Sequence, residues 1–136
     1  MSRVLVVMGS ESDRPTMQKG VEVLAAADID VEVVVSSAHR DPEGTAQLAR
    51  EAADRGFDVV ICGAGLSAAL PGVFAALTHL PVIGVPISAG TLGGLDALLS
   101  IAQMPPGVPV ATVGIDNSRN AAHLALRILG RTAPAA

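Results

Sequence analysis

The fold is decided by the stretch Val31-Glu32-Val33-Val34-Val35-Ser36-Ser37-Ala38-His39-Arg40-Asp41-Pro42. It begins as a valine-rich strand pattern, and a helical pattern opens at Pro42. A polar turn between a buried strand and a helix is typical of α/β folds, which bind ligands at the carboxyl ends of their strands. This turn carries a histidine, which can move a proton near neutral pH, and an arginine, whose planar fork suits phosphate or carboxylate. We therefore predict a ligand site at His39 and Arg40 rather than an incidental solvated loop.

A second polar loop follows the first apolar run of the chain, residues 4–7. This loop reads Met8-Gly9-Ser10-Glu11-Ser12-Asp13. Asp13 fits an N-cap position, and Pro15 suits the first turn of the helix that follows. Glycine, two hydroxyls and a helix N-terminus can form an anion site, although the same residues also serve plain capping. Together with the His39 turn, the loop indicates a site assembled from several strand ends.

Apolar runs and helical patterns alternate along the whole chain. We predict strands at 4–8, 31–35, 59–63, 82–85 and 110–113, and helices at 15–27, 42–55, 70–77, 95–101 and 117–129. Strands rich in Val, Ile and Leu are expected where a sheet is covered on both faces, and the alternation implies parallel strands. The predicted fold is α/β: one catalytic domain at 1–130, built as a flavodoxin-like three-layer sandwich on a five-stranded parallel sheet. Residues 131–136 are predicted to be a disordered tail.

The loops after the third and fourth strands are built from small residues. The third strand leads through Gly65 and Ser67 to Leu70-Pro71-Gly72, where the backbone can approach a ligand closely. The fourth leads into residues 86–94, which are a candidate lid or a flexible connection. Both loops would lie at the same edge of the sheet as His39.

Composition excludes several classes of function. The net charge of −4 argues against a nucleic-acid surface, and two Phe without Trp or Tyr offer no platform for stacked bases or a flavin. Gly63-Ala64-Gly65 stands where a phospho-receiver would carry an aspartate. The single cysteine, Cys62, cannot form an internal disulfide and is expected to be a buried hydrophobe.

The same composition bears on location and cofactors. Three His and one Cys show no ligand spacing, so no metal or other cofactor is expected. The chain enters a strand almost at once, without a signal peptide, and Gly, Pro and polar residues interrupt every apolar run. We expect a cytoplasmic protein without a membrane partner.

Several motifs, in order from residue 4 to 129, resemble the PurE family of purine biosynthesis, which carboxylates aminoimidazole ribonucleotide. They are Met8-Gly9-Ser10-x-Ser12-Asp13, Ser37-Ala38-His39-Arg40-x-Pro42, Gly63-Ala64-Gly65, Leu70-Pro71-Gly72, Pro81-Val82-x-Gly84-Val85-Pro86, Leu99-Ser100-Ile101-x-Gln103-Met104-Pro105, Gly107-x-Pro109-Val110 and Asn120-Ala121-Ala122. The resemblance implies conversion of 5-(carboxyamino)imidazole ribonucleotide to 4-carboxy-5-aminoimidazole ribonucleotide. It also implies a homo-octamer, which the apolar composition of so short a chain supports (mean hydropathy +0.51).

The resemblance also implies roles for individual residues. His39 would be the catalytic acid and base, and Asp13 would bind ribose hydroxyls. The 5′-phosphate would be held by hydroxyls and a guanidinium: Ser10, Ser12, Ser37 and Arg40. The imidazole and carboxylate pocket would be lined by Gly65, Ser67 and Leu70. Gly9 and Ala38 complete the predicted substrate contacts.

One departure keeps alternatives open. The family's bacterial mutases usually read Ala-His-Leu-Pro-Gly where this chain has Ala69 in place of the histidine. Animal-type enzymes of the family, which use CO2 directly, also lack that histidine, so a direct carboxylase is an alternative. A related carboxylase of a pyridinium mononucleotide has a similar Ala-Leu-Pro loop and an Ile-Asp-Asn segment like residues 115–117. A non-catalytic nucleotide sensor is the alternative outside the enzymes.

Overall fold

The protein, described over residues 1–134 by a computed structural model, has a parallel five-stranded sheet between two helical layers. The strands are β1 (Arg3–Met8), β2 (Asp30–Val35), β3 (Val59–Gly65), β4 (Val82–Ile87) and β5 (Ala111–Thr112). The helices are α1 (Arg14–Ala26), α2 (Pro42–Glu51), α3 (Leu70–Leu77), α4 (Leu95–Ala102) and α5 (Ser118–Ile128). The strand order β2-β1-β3-β4-β5 is that of the flavodoxin-like fold, which confirms the predicted architecture.

Side chains that alternate along β1 build a hydrophobic core on each face of the sheet. Val4, Val6 and Met8 pack on one side, where helices α1 and α5 lie. Leu5 and Val7 point to the other side, which is covered by α2, α3 and α4. This period of two is the geometry of an extended strand, and it explains why the central strands are apolar throughout.

Helix α2 and strand β5 lose the largest share of their predicted length. Helix α2 ends at Glu51 instead of Arg55, because the chain turns toward β3 through Gly56, whose φ is +87°. Strand β5 has two residues instead of the predicted four. It lies at the sheet edge beside Pro109, which has no N–H to donate to a strand ladder.

Strand β2 is covered less completely than the central strands, although Val31 and Val33 pack against one core and Val34 against the other. This strand lies at the other edge of the sheet and pairs only with β1, so its residues are half-buried or exposed. Two of its carboxylates bind arginines of neighbouring segments at 2.7 Å, Asp30 with Arg3 and Glu32 with Arg55. These ion pairs add to the packing of the β2 valines at this edge of the sheet.

Helix positions around β1 and β3 open a cleft at one end of the sheet. After β1 the chain crosses to the α1 layer, and after β3 it crosses to the α3 layer on the opposite face. Such a switch point separates the two following loops and leaves room for a ligand at the carboxyl ends of the strands. Among the described residues no helix has the length and apolar character needed to cross a bilayer. Of the predicted tail, residues 135 and 136 lie outside the described part.

Candidate active site

A cleft of about 450 Å³ occupies this switch point. It collects every residue that the sequence proposed for catalysis or substrate binding: Gly9, Ser10, Ser12, Asp13, Ser37, Ala38, His39, Arg40, Gly65, Ser67 and Leu70. They come from the ends of β1, β2 and β3, which parallel pairing places side by side. Their roles toward a substrate stay predictions.

The turn that carries His39 is braced by its own polar side chains. The Ser37 hydroxyl oxygen accepts a hydrogen bond from the backbone N–H of Arg40 at 3.1 Å. Asp41 caps helix α2 by accepting from the N–H of Gly44 at 3.1 Å. Behind the turn, the Ser36 hydroxyl lies 2.6 Å from that of Thr45, which is fully buried on α2. His39 and Arg40 are thus presented by a fixed turn while their side chains stay exposed to the cleft.

The loop after β1 is organised by Ser10 rather than by Asp13. A short 3-10 turn, Glu11–Asp13, precedes α1, and the Ser10 side chain caps it by accepting from the N–H of Ser12 at 3.3 Å. The carboxylate of Asp13 makes no capping hydrogen bond, so the predicted N-cap role of its side chain is wrong. Asp13 does stand at the predicted N-cap position of α1, but the side-chain capping bond is made by Ser10 on the preceding 3-10 turn, which leaves the Asp13 carboxylate for the cleft.

Asp13 brings a partly buried carboxylate into the cleft. Partial burial raises the pKa of its carboxyl above the ordinary value, and a hydrogen bond from the Ser10 backbone opposes this only in part. Within residues 1–134, the Asp13 carboxylate forms no ion pair, and neither does the guanidinium of Arg40. A cleft that holds both a carboxylate and a guanidinium, neither of them in an ion pair, is suited to a ligand with hydroxyl donors and an anionic group.

The third wall is apolar and includes residues that the sequence analysis did not name as site residues. They are Ala64, Leu66, Ala68, Ala69 and Ala89. Leu66 has φ +55°, a left-handed conformation that is uncommon for a side chain of this size, and it is 55% exposed. A leucine gives no sequence signal for a left-handed backbone, so the place of Leu66 in the cleft could not be predicted from the sequence. Ala89 comes from the loop after β4, which the sequence described only as a candidate lid.

This chain is similar to proteins of a known family over most of its length. A model of the AIR carboxylase family matches residues 3–136. The "N5-carboxyaminoimidazole ribonucleotide mutase" of Pyrococcus abyssi is 58% identical over 129 residues, which is 95% of this chain and 74% of that protein. The chain belongs to the AIR carboxylase family. This result confirms the PurE likeness that the motifs predicted.

Other relatives of the AIR carboxylase family agree in sequence and in structure. The protein of Thermotoga maritima, also named N5-carboxyaminoimidazole ribonucleotide mutase, is 54% identical over 130 residues, covering 96% of this chain and 76% of its own. The crystal structure of Treponema denticola PurE superposes with a TM-score of 0.84 at 29% identity. The superposition covers 96% of this chain and 81% of that one. The AIR carboxylase fold is therefore preserved over nearly all of this chain.

Reactive groups elsewhere in this AIR carboxylase relative lie away from the cleft. Cys62 is fully buried in β3, and burial raises the pKa of its thiol, which disfavours a nucleophilic thiolate. His123 is exposed on α5, and His79 follows the end of α3. Among the described residues, no three His, Cys, Asp or Glu side chains cluster as metal ligands would.

A larger cavity, of about 760 Å³, lies at the amino ends of β4 and β5. Its lining includes Arg50, His79 and Ile128 but none of the predicted site residues. Of these two cavities, which lie within residues 1–134, the smaller combines a histidine, an arginine and a partly buried carboxylate. The chemistry of the chain is therefore concentrated at the carboxyl edge of the sheet.

Proposed function

We propose that the protein is an N5-carboxyaminoimidazole ribonucleotide mutase of purine biosynthesis, an isomerase that moves a carboxyl group from the exocyclic nitrogen to ring C4. One observation carries the proposal. The His39-Arg40 turn meets the Ser10–Asp13 loop and the Gly65 loop around one cleft. The chain that builds this cleft is 58% identical, over 129 residues, to a protein named for that activity.

The phosphate of the ribonucleotide would lie between the loops after β1 and β2. The Ser10 and Ser12 hydroxyls are 2.9 Å apart, and both face the same cleft as Arg40. The Ser37 oxygen already accepts from Arg40 N–H, so its hydroxyl proton is free to donate to an oxyanion. Charge-assisted bonds from a guanidinium and several hydroxyls are a strong arrangement for a phosphate.

Asp13 would bind the ribose. A carboxylate repels phosphate but accepts hydrogen bonds from hydroxyls, and partial burial in the cleft removes part of the hydration of the Asp13 carboxylate, which raises its pKa. Hydrogen bonds donated by two ribose hydroxyls would replace the hydration that Asp13 loses. This arrangement places the sugar between the phosphate site and the apolar wall at Ala64, Ala68 and Ala89.

His39 would carry the proton through the reaction. The N–C bond of the carboxyamino group breaks, CO2 leaves, and the imidazolium of His39 protonates the nitrogen. Ring C4 then attacks CO2, the new C–C bond forms, and the C4 proton passes to the imidazole. The two transfers cancel, so one histidine returns to its starting state and no metal or other cofactor is required.

The apolar wall would keep CO2 close between the two steps. Ala64, Ala68 and Leu70 are buried, and Ala69 adds only a methyl group to the same wall. Confining a released reactant next to its target raises its effective concentration, and an apolar pocket limits its loss to water. Ala69 cannot transfer protons, so this proposal assigns all proton transfer to His39.

Product analysis tests this function directly. The protein is incubated with N5-carboxyaminoimidazole ribonucleotide, and separately with aminoimidazole ribonucleotide and bicarbonate, with products identified by mass. We expect conversion in the first mixture. Conversion only in the second would establish the direct CO2 carboxylase instead. Conversion in neither would leave a carboxylase of another heteroaromatic mononucleotide, such as a pyridinium type, or a nucleotide sensor.

A His39→Asn variant tests the proton carrier. We expect turnover to be lost while ligand binding stays within about an order of magnitude, because Asn fills the site without titrating. His123→Asn, on the exposed face of α5, is the matched control and should keep full turnover. An active His39→Asn variant would show that another group moves the proton.

We also propose that the protein is a cytoplasmic homo-octamer. Its support is family membership together with exposed Leu92, Leu95 and Leu99 on and before α4, each at least half exposed in the single chain. An apolar patch of this kind is typical of subunit contacts. Light scattering at micromolar concentration should give a mass well above one chain, and a monomer would refute the assembly.

A further inference from the structure

Asp116 ties two segments together behind the cleft. It lies in the connection between β5 and α5, and its carboxylate accepts hydrogen bonds from the backbone N–H of Ser88 at 2.8 Å and from the Ser88 hydroxyl at 2.6 Å. Its own N–H donates to the carbonyl oxygen of Pro86 at 2.7 Å. Three hydrogen bonds therefore join one residue to the end of strand β4.

The backbone of Asp116 adopts an unfavourable conformation to make these bonds. Its φ is +59°, in the left-handed region that aspartate tolerates better than most residues but that still costs free energy. Such a conformation persists where surrounding contacts hold it. The three bonds to Pro86 and Ser88 supply those contacts, which indicates a specific attachment rather than a chance surface turn.

This attachment fixes the wall of the cleft at Ala89. Ala89 follows Ser88 directly and lines the cleft beside Gly65. A methyl group added at Gly65 would lie 3.2 Å from the Ala89 Cβ and 3.2 Å from the carbonyl oxygen of Ile87. Because the two segments are already that close, a small displacement of Ser88 changes the shape of the pocket around residues 65–67.

The same connection also touches the far end of the loop. A Cβ at Gly94 would lie 2.7 Å from Ile115 and 3.2 Å from the Cα of Ser88. Between these points the loop has little support, since Leu92 is 59% exposed and nothing lies within 4 Å of a Cβ built at Gly93. Residues 115 and 116 thus hold both ends of the segment 88–94.

We propose that Asp116 is a positioning residue for the reaction in the cleft, acting through Ser88 to hold Ala89 against Gly65. It touches no substrate. Its effect is on the width of the pocket that receives the heteroaromatic ring and the migrating carboxyl group. The inference rests on the proposed mutase function for its kinetic consequence, whereas the Asp116–Ser88 attachment itself can be tested without substrate.

Three substitutions separate this role from backbone strain. Asp116→Gly removes the carboxylate but relaxes the left-handed backbone. Asp116→Asn keeps one acceptor oxygen, and asparagine tolerates the left-handed conformation. Ser88→Ala removes only the hydrogen bond from the Ser88 hydroxyl. We expect kcat to fall about 10- to 100-fold in Asp116→Gly and less in the other two, the order set by the bonds retained. KM should change less than about threefold, because the phosphate groups lie on other loops.

A matched control comes from Asp28, another exposed aspartate in the left-handed region, with φ +60° in the turn between α1 and β2. Asp28→Gly relaxes the backbone in the same way but far from the cleft, so kcat should not change. If strain were the only property of Asp116, glycine would be its best replacement. Wild-type kcat in Asp116→Gly, or an equal loss of kcat and of thermal stability in all three variants, would overturn the proposal.

Hydrogen exchange of the free protein tests the attachment without turnover. The amide of Ser88 and those of the segment 88–94 should exchange faster in Asp116→Gly than in wild type, with β1 and β3 unchanged. Exchange at wild-type rates would refute the inference whatever the activity. If Asp116→Gly exchanges faster but the wild-type protein converts no ribonucleotide substrate, the attachment stands and the proposed function is rejected instead.

Discussion

Replacing Gly20 with alanine tests how closely helices α1 and α5 pack. A Cβ at Gly20 would lie 2.5 Å from the carbonyl oxygen of Ser118 and 3.0 Å from its carbonyl carbon. These are backbone atoms at the start of α5, which cannot rotate away as a side chain can. The Ser118 hydroxyl also donates to Thr16 O at 2.5 Å and accepts from Gly20 N–H at 3.1 Å, so it bridges both ends of one α1 turn.

The expected loss of stability is the sum of two destabilising contributions and one stabilising contribution. To restore an ordinary contact of 3.4 Å, the helices must separate by about 0.9 Å. Overpacking of this kind costs about 1–3 kcal/mol, and weakening the two bonds of the buried Ser118 hydroxyl costs about 1 kcal/mol each. Alanine returns about 1 kcal/mol of helix propensity. We expect the free energy of unfolding to fall by about 3 kcal/mol, which lowers Tm by about 9–15 °C in a domain of this size.

The assay is thermal and urea unfolding at a fixed protein concentration, with Gly72→Ala as the control. Gly72 is also helical, but a Cβ there would meet the end of the flexible Met104 side chain, at 3.0 Å from the sulfur. That side chain can move, so the propensity gain should leave Gly72→Ala unchanged or slightly more stable. A Gly20→Ala variant as stable as wild type would refute the close packing inferred for α1 and α5.

Two further predictions concern the cleft. Asp13→Asn should weaken ribonucleotide binding yet stabilise the free protein at pH 7. The pKa of the Asp13 carboxyl is raised in the folded state, so its ionised form opposes folding at pH values above the ordinary pKa. Unfolding curves should show that the gain in stability disappears as the pH falls below the ordinary pKa of aspartate. Arg40→Lys should raise KM about tenfold with a smaller change in kcat, because lysine keeps the charge but loses the planar fork, and steady-state kinetics with unchanged KM would argue against phosphate at Arg40.

Local sequence signals were sufficient for most of the fold. The valine-rich run before Ser36 and the alternation of apolar runs with helical patterns gave the parallel sheet, because strands and helices differ in the period of their hydrophobic residues. The His39-Arg40 turn could be assigned to the site for the same reason, since strand ends in such sheets share one edge. The ends of α2 and β5 were misplaced because a turn at Gly56 and an edge position depend on neighbours.

Contacts between distant segments could not be read from any one stretch. Asp13 stands at the N-cap position of α1 as predicted, yet the side-chain capping bond is made by Ser10 on the 3-10 turn at Glu11–Asp13. Leu66 enters the cleft through a left-handed conformation that leucine does not favour. The Asp116–Ser88 attachment joins residues 28 positions apart, on connections that follow different strands.

The amino-acid sequence alone was sufficient to assign the fold class, the family and the polar side chains that face the cleft. These depend on hydrophobic periodicity and on the identity of residues at strand ends, both of which are local. The assembled fold was needed to see which strands lie at the edges, how tightly Gly20 meets Ser118, and that Asp116 binds Ser88 next to Ala89. Those properties come from packing and hydrogen bonding between segments far apart in the chain, whose geometry exists only once the sheet and both helical layers are assembled.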